Sequence, residues 1–347
     1  MANSKEQTLS SIQKEIREKS QFYKRQKARS NSAFSKLSKE SSLLLVSCFS
    51  IVSTNTILAP IERVKTICQT DFLSINKVDL KTNRPLGVYT AICNDQGVLN
   101  FLRGNMANSY KFILQTCARG YLYQRFHLSP KERDANGYTF AQNVGINSAI
   151  SLLILAIAYP LDLAHTRMTV DMTKQGQKRI YSSVADCFRK ARNSSEIISS
   201  IESSPTQMKF IRYSDLYRGF GMSIAGTLPY AALSFPLFDL CNKFTWDASK
   251  ELDQTNFYVR VLNRIVPPTV VMCLLSSILY PFETAKKLRQ VNGSIGFKNS
   301  LSSSFQILKK CKITDLYRGY SIHLLKVIPY TFIQFSIYQL AKKMIKD

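Results

Sequence analysis

The chain repeats one short motif three times, at intervals of about a hundred residues. Each copy has a proline, an acidic residue two positions later and a basic residue three positions after that. The copies are Pro60-Ile61-Glu62-Arg63-Val64-Lys65, Pro160-Leu161-Asp162-Leu163-Ala164-His165 and Pro281-Phe282-Glu283-Thr284-Ala285-Lys286. An Arg-Gly pair follows each copy, ending at Gly104, Gly219 and Gly319. Such periodic self-similarity is typical of one supersecondary unit built several times, so three copies of one unit are predicted.

Each motif ends an apolar run that is near the length of a membrane span. Four runs carry no formal charge, at residues 41–61, 135–161, 219–238 and 265–282. Two weaker runs, at residues 105–124 and 320–341, are interrupted by cations or histidine. A spanning helix needs about 20 mainly apolar residues, and charges within it usually face a protein-lined interior. We predict an all-α membrane protein with six transmembrane helices in three repeated hairpins.

A soluble helical protein with large core helices is the alternative fold. Uncharged stretches of spanning length, joined by strongly basic segments, argue against it. The net charge of +24 would also suit a nucleic-acid partner. No zinc-ligand spacing or aromatic RNA-binding box accompanies the lysines and arginines. An anionic lipid or an anionic solute explains these basic residues better, and no nucleic-acid partner is expected. The eight cysteines are scattered singly, which indicates a reducing compartment.

The repeats divide the chain into four predicted parts. Residues 1–40 form a polar, basic amino-terminal extension, and the three repeats occupy residues 41–130, 131–250 and 251–347. We expect short helices before each Arg-Gly pair. The longest loop is expected at residues 174–206.

The motif residues predict a charged ring inside the membrane. A proline within a helix removes one backbone donor and kinks the helix, so Pro60, Pro160 and Pro281 are expected to bend the odd-numbered helices inward. The acidic and basic residues of each copy then lie within one turn of each other. Structural salt bridges alone are the alternative, but three repetitions at one membrane depth favour a plug that forms and breaks.

The threefold element with its downstream Arg-Gly pair resembles the mitochondrial carrier family, from Ser41 to the carboxyl terminus. Within the family it is most similar to the ADP/ATP carriers, through Pro60-Ile61-Glu62-Arg63-Val64-Lys65 and Arg103-Gly104-Asn105-Met106-Ala107-Asn108. The resemblance implies threefold pseudosymmetry, a multi-pass protein of the mitochondrial inner membrane, and exchange of an anionic metabolite by alternating access. An adenine nucleotide is the expected solute.

The resemblance also implies a gate on the matrix side. Family pairing joins the acid of one repeat to the base of the next, and it is expected to give Glu62 with His165, Asp162 with Lys286, and Glu283 with Lys65. Gln69 and Gln290 occupy the positions of glutamine braces beneath the gate. His165 departs from the usual Lys or Arg, and a neutral imidazole would replace the ion pair by a hydrogen bond.

The even-numbered helices are expected to carry the solute site. The resemblance assigns solute contacts to Lys111, Arg119, Gly226, Thr227, Tyr230 and Lys326. Gly104, Gly219 and Gly319 resemble the family's cardiolipin sites, where exposed amides at a helix start bind a phosphate headgroup. Cardiolipin is expected as a bound lipid, with no other cofactor and no metal.

Several departures from the ADP/ATP carriers leave two functions open. Asn55 and Ala231 replace expected cations, and the opposite gate retains only Asp239 and Lys342. One hypothesis is a divergent carrier, and the other is an accessory subunit of a large inner-membrane complex, a respiratory or ATP-synthase assembly, that no longer transports. An enzyme is not expected, because there are three histidines and no glycine-rich phosphate loop or nucleophile elbow.

Overall fold

The structure is a computed structural model that describes residues 41–71, 84–126, 140–174, 176–199, 215–249, 257–292, 309 and 311–346. Throughout these ranges the regular secondary structure is helical, as the all-α prediction requires. The predicted amino-terminal extension, residues 1–40, lies outside the described residues.

The first long helix is broken at its motif. Helix α1 spans Ser41–Ile57 and helix α2 spans Ala59–Thr70, and the two meet at a bend of 63°. Pro60 lies in the first turn of α2 and has no N–H to donate back to α1, which explains the break. Inside α1, the Thr54 hydroxyl donates to the carbonyl of Ser50 at 2.7 Å. The Thr54 hydroxyl is thus satisfied within its own helix, as the polar group of a membrane-spanning segment requires.

The rest of the chain repeats one order of elements: a first long helix, a short helix and a second long helix. The first repeat continues with α3 (Arg84–Gln96), a 3₁₀ turn at Val98–Leu102 and α4 (Asn105–Phe126). The second contains α5 (Phe140–Thr169), α6 (Val184–Ser199), a 3₁₀ turn at Asp215–Tyr217 and α7 (Phe220–Ser249). The third contains α8 (Phe257–Val291), α9 (Ile313–Leu316) and α10 (Tyr320–Lys346).

Each of the six predicted apolar runs overlaps a long helix of the structure. The short helices expected before each Arg-Gly pair are present as α3, α6 and α9. The prediction of a loop at residues 174–206 is wrong in part, because α6 occupies its centre. Pro160 and Pro281 lie inside continuous helices, so the expected kinks at these two positions stay a prediction.

Three glycines give the clearest evidence of threefold pseudosymmetry. Gly104, Gly219 and Gly319 have φ values of +84°, +85° and +76°, and each immediately precedes the second long helix of its repeat. A side chain at each would meet the backbone of the next repeat: the added Cβ would lie 3.1 to 3.2 Å from the carbonyl oxygen of one motif base. These carbonyls belong to His165, Lys286 and Lys65. Only glycine fits this backbone conformation at such close approach.

Two tyrosines fasten the motif to the Arg-Gly turn within the second and third repeats. The Tyr159 hydroxyl donates to the carbonyl of Arg218 at 2.5 Å, and the Tyr280 hydroxyl donates to the carbonyl of Arg318 at 2.9 Å. In the first repeat the same position is Ala59, which has no hydroxyl. The first repeat therefore lacks a hydrogen bond that the second and third repeats have.

The outer surface of the bundle is apolar. Exposed side chains on the long helices include Leu45, Phe49, Leu153, Ile157, Leu274, Ile278, Leu325 and Phe332. Of the described helices, Val144–Thr169 and Ile265–Val291 are each long and apolar enough to cross a membrane, and α1 with α2 is a third candidate if counted as one span. Helices α4 and α10 contain Lys111, Arg119 and Lys326, which lowers their apolar character.

Candidate gate and central cavity

The charged motif residues of α2, α5 and α8 meet inside the bundle. Lys65 Nζ lies 2.9 Å from Glu283 Oε1, and Lys286 Nζ lies 3.0 Å from Asp162 Oδ2. These are two of the three pairs that the resemblance implies, each between an acid and the base of the next repeat. The side chains of both lysines are largely buried. Two of the three expected ion pairs between motif residues of neighbouring repeats are therefore present.

The third expected pair, Glu62 with His165, is wrong. His165 Nδ1 lies 3.1 Å from the carbonyl oxygen of Gly104, and because a carbonyl only accepts, the ring proton is on Nδ1. The imidazole is shorter than a lysine or arginine and is engaged at the start of α4. Glu62 is instead paired with Lys287 at 3.2 Å and with Lys326 at 3.0 Å.

The lysines expected to bind the solute contact the acids of the gate. Lys111 Nζ of α4 lies 3.1 Å from Asp162 Oδ1, and Lys326 Nζ of α10 lies 3.0 Å from Glu62 Oε2. Each therefore reaches from an even-numbered helix to an acid on a different repeat. The pattern of the motif alone does not indicate these contacts, because they join residues that are distant in sequence.

The two glutamines expected as braces differ in how fully they are bonded. Gln290 donates to Asp162 Oδ2 at 3.1 Å and accepts from the Thr166 hydroxyl at 2.7 Å. Gln69 donates to the Thr284 hydroxyl at 3.3 Å, but its own side-chain oxygen has no hydrogen-bond partner. Both side chains are fully buried. Their role as braces stays a prediction, and the geometry favours Gln290.

Two cavities lie between the long helices, and the smaller one borders the charged ring. The smaller, of about 350 Å³, is lined by Gly226, Thr227 and Tyr230, which the resemblance assigns to the solute, and by Glu283 and Lys286 of the gate. The helices α5, α7, α8 and α10 form its walls. The structure thus brings one group of predicted contacts directly against the gate.

The larger cavity, of about 800 Å³, contains Arg119, the single charged side chain among the described residues that line it. Five aromatic side chains line the same space: Phe112, Tyr230, Tyr330, Phe335 and Tyr338. Both cavities share Tyr230 and Met272. The predicted solute contacts therefore lie in three places. Lys111 and Lys326 contact the gate acids. Gly226 and Thr227 line the smaller cavity, Arg119 lines the larger one, and Tyr230 lines both.

A buried network on the α3 side of the gate was missed by the sequence reasoning. Arg63, only 1% exposed, donates to the carbonyl oxygens of Thr169 at 3.1 Å and Asp171 at 3.0 Å, and to Gln96 Oε1 at 2.6 Å. It therefore joins α2 to the end of α5 and to α3. One feature of the sequence could have indicated this network: Arg63 directly follows Glu62, whereas the other two copies of the motif have an uncharged residue at that position.

Arg103 completes this network through an ion pair with the carboxylate of Asp171. Burial lowers the pKa of Arg103, and the carboxylate opposes that shift. Close by, burial raises the pKa of Tyr181 to about 12 and that of Cys187 to about 11. These two side chains pack with Ala107, Ala164 and Met168 where α4, α5 and α6 meet. The end of the bundle that carries the short helices is thus closed by packing as well as by charge.

Two predicted site residues cannot be compared with the structure. The side chains of Asp239 in α7 and Lys342 in α10 lie outside the described residues, so the remnants of the opposite gate stay a prediction. In the described part of the chain, no group of three or more His, Cys, Asp or Glu side chains could hold a metal ion.

Comparison with known proteins gives a consistent family. The family model described as "Mitochondrial carrier protein" matches residues 38–129, 138–249 and 263–347. The chain is 29% identical over 277 residues to "ADP,ATP carrier protein ER-ANT1" of Arabidopsis thaliana, covering 77% of this chain and 83% of the relative. It is 28% identical over 240 residues to human "ADP/ATP translocase 3", covering 67% and 72%.

A third relative carries a different name. "Adenine nucleotide transporter BT1, chloroplastic/mitochondrial" of Arabidopsis thaliana is 25% identical over 297 residues, covering 84% of this chain and 67% of the relative. The names of all three relatives thus refer to adenine nucleotides: two name ADP and ATP, and the third names adenine nucleotides in general.

Proposed function

Because the chain belongs to the mitochondrial carrier family, we propose that it exchanges an anionic metabolite across the mitochondrial inner membrane by alternating access. An adenine nucleotide is the proposed solute. The relatives support this choice, since their names describe ADP/ATP carriers and an adenine nucleotide transporter.

One observation carries the proposal: the buried charged cluster contains more lysines than carboxylates. Its acids are Glu62, Asp162 and Glu283, and its bases are Lys65, Lys111, Lys286, Lys287 and Lys326. Three acids against five bases leave a formal excess of two positive charges. Uncompensated charge in a low-dielectric interior is unfavourable. An anion that enters the cluster supplies the missing charge, which supports an anionic solute over a neutral one.

The positions of the two surplus bases support a route for that anion. These two bases are Lys111 of α4 and Lys326 of α10. Lys111 pairs with Asp162, Lys326 pairs with Glu62, and each of these acids also pairs with a lysine of α8. An entering anion competes with Asp162 and Glu62 for these ammonium groups. Binding would thereby weaken the contacts that close the gate, which is the coupling that alternating access requires.

The aromatic lining of the larger cavity supports a solute with a planar ring. Tyr230, Tyr330 and Phe335 surround the space that contains Arg119. Aromatic side chains stack on bases, and a guanidinium binds phosphate oxygens through directed hydrogen bonds. A nucleotide has both groups, whereas a carboxylate metabolite has only the charge.

We also propose cardiolipin as a bound lipid at the three Arg-Gly turns. Helix N-termini at these turns present free amides, which bind anionic phosphate. Mass spectrometry of the purified chain in native lipid tests this: cardiolipin is expected to remain bound after phosphatidylcholine has been washed away. Equal retention of the two lipids would contradict a specific site.

The experiment that tests the transport function is counter-exchange in proteoliposomes. Purified chain is reconstituted with internal ATP, and uptake of labelled ADP is measured; parallel vesicles contain phosphate, malate or citrate. Uptake that depends on internal nucleotide is expected. If no anion in the panel exchanges and the chain purifies from native membrane within a large complex, the accessory-subunit hypothesis replaces the proposal.

A further inference from the structure

Two residues that line the smaller cavity each have a buried polar side-chain atom without a hydrogen-bond partner. These atoms are Ser223 Oγ of α7 and His323 Nε2 of α10. Buried polar groups in proteins are nearly always hydrogen-bonded, so an unpartnered one at a cavity wall indicates a position where a ligand atom completes the bond. Ser223 and His323 belong to different repeats.

The other ring nitrogen of His323 fixes its proton. Lys65 Nζ lies 3.2 Å from His323 Nδ1. An ammonium group only donates, so Nδ1 accepts this bond and the ring proton of the neutral imidazole is on Nε2. The Tyr280 ring lies against the imidazole, with 5.6 Å between the ring centroids. His323 therefore presents a buried N–H donor in a defined direction.

The threefold pattern shows that this donor is particular to one repeat. His323 lies four residues after Gly319, and the corresponding positions after Gly104 and Gly219 are Asn108 and Ser223. An imidazole is the longest of these three side chains. Only the third repeat therefore places a ring between the cavity and a gate lysine.

We propose that His323 is a specificity-determining residue of the solute site. Its Nε2–H donates to an acceptor atom of the bound solute, a phosphate oxygen or a ring nitrogen, while Nδ1 stays bonded to Lys65. This inference rests on the proposed function and adds a neutral donor to a site otherwise described by cations. Neighbouring Lys286 supplies the charge that holds an anion at the same wall.

The same ring connects the solute to the gate. Lys65, the partner of Nδ1, also forms the ion pair with Glu283 at 2.9 Å. Thus only two hydrogen bonds separate an atom in the cavity from the ion pair between the first and third repeats.

Two substitutions separate the functions of the two nitrogens. In His323→Asn the amide oxygen can take the place of Nδ1 and accept from Lys65, but nothing reaches the position of Nε2. In His323→Gln the longer amide places its NH₂ near Nε2, and the contact to Lys65 is lost. The control is Ser321→Ala, at an exposed position of the same helix.

The readouts are the KM for labelled ADP in exchange against ATP, and the Tm of the purified chain. His323→Asn is expected to raise KM by about three- to tenfold, the effect of one lost hydrogen bond, with a Tm close to that of the wild type. His323→Gln is expected to lower Tm and to raise KM less than His323→Asn does. Ser321→Ala is expected to change neither value.

The outcomes distinguish this inference from the proposed function. If the wild type exchanges ADP and His323→Asn keeps the wild-type KM, the proposed function stands and the role of His323 is rejected. Equal increases of KM in both variants reject it as well, because the retained donor of Gln would then have no effect. If the wild type exchanges neither ADP, ATP, phosphate nor citrate, both the proposed function and this inference fail.

Discussion

Lys287 Nζ lies 3.2 Å from Glu62 Oε1, so a lysine of α8 occupies the place expected for His165 of α5. The charged ring is therefore asymmetric. Helix α8 is joined by ion pairs to both α2 and α5, whereas no ion pair between described residues joins α2 to α5. That seam depends on hydrogen bonds to neutral acceptors, among them those that the Arg63 guanidinium donates to the carbonyls of Thr169 and Asp171.

The pair of Glu62 and Lys287 predicts a clear loss of stability when the cation is removed. Lys287→Met removes one of the three lysines around Glu62, while Lys65 and Lys326 remain. The cost should therefore lie below the about 3 to 5 kcal/mol of a buried ion pair that is fully broken from one side. We expect a lower Tm in thermal unfolding of the purified chain. Lys343→Met, at an exposed lysine of α10, is the matched control and is expected to leave Tm unchanged. Equal melting of the two variants would contradict a structural role for Lys287.

A charge swap tests the pair of Lys65 and Glu283. Lys65→Glu and Glu283→Lys each place two like charges together, and the double variant restores opposite charges. The double variant should be more stable than the sum of the single effects predicts, by about 0.5 to 3 kcal/mol. Recovery is expected to be partial, since Lys65 also lies 3.5 Å from Glu62. Strictly additive effects on the free energy of unfolding would show that the two side chains are not coupled.

The surplus lysines predict a loss of transport rather than of fold. Lys111→Gln and Lys326→Gln each remove one charged hydrogen-bond donor, worth about 1.5 to 3 kcal/mol. The kcat/KM for ADP exchange should fall by about 10- to 100-fold, while helical content by circular dichroism stays that of the wild type. Lys178→Gln, in an exposed loop, is expected to exchange normally. Wild-type exchange in either gate variant would contradict the assignment.

Two glycine substitutions are expected to change stability in opposite directions. Gly104 has φ of +84° and its Cβ would lie 3.2 Å from the carbonyl of His165, so Gly104→Ala should destabilise by about 1 to 3 kcal/mol. Gly145 lies in α5 with open space around it. There an alanine should stabilise the helix by about 0.5 to 1 kcal/mol. Thermal unfolding measures the change in Tm of each variant. A rise in Tm, or a fall in Tm, in both variants would contradict the close packing at Gly104.

The glutamines predict a graded result. Gln290→Ala removes the hydrogen bonds to Asp162 and Thr166 and should cost about 1 to 3 kcal/mol, because each lost bond contributes about 0.5 to 1.5 kcal/mol. Gln69→Ala removes a single bond at 3.3 Å and should cost less. Chemical or thermal unfolding compares them directly. A larger effect at Gln69 would reverse the interpretation of which residue braces the gate.

The sequence predicted the parts of the site that depend on the repeated motif. The resemblance to the carrier family, which the repeated motif carries, implied the pairs of Lys65 with Glu283 and of Lys286 with Asp162, and the structure contains both. The expected pair of His165 with Glu62 failed for a physical reason. The sequence shows that His165 can be basic, but it does not show whether the imidazole is long enough to contact Glu62. A ring bonded to the carbonyl of Gly104 cannot also extend to Glu62.

The contacts of Lys287, Lys111 and Lys326 were beyond the motif for a related reason. Lys287 lies four residues after Glu283, on the same face of the helix as that acid. The motif assigns one basic residue to each copy, at Lys286 in this copy, so it does not predict a role for a second one. Lys111 and Lys326 reach acids on other repeats, and such contacts depend on how tilted helices cross. Periodicity indicates the face of a helix, not which neighbour that face meets.

The two surplus positive charges also have an electrical consequence. A bound anion with two negative charges makes the cluster formally neutral, whereas one with three or four leaves it negative. Each net charge moved through the membrane potential changes the free energy by about 2.3 kcal/mol per 100 mV. Exchange of two solutes that differ in charge would therefore produce a current, and the potential across the membrane would set the direction in which the more highly charged one is driven.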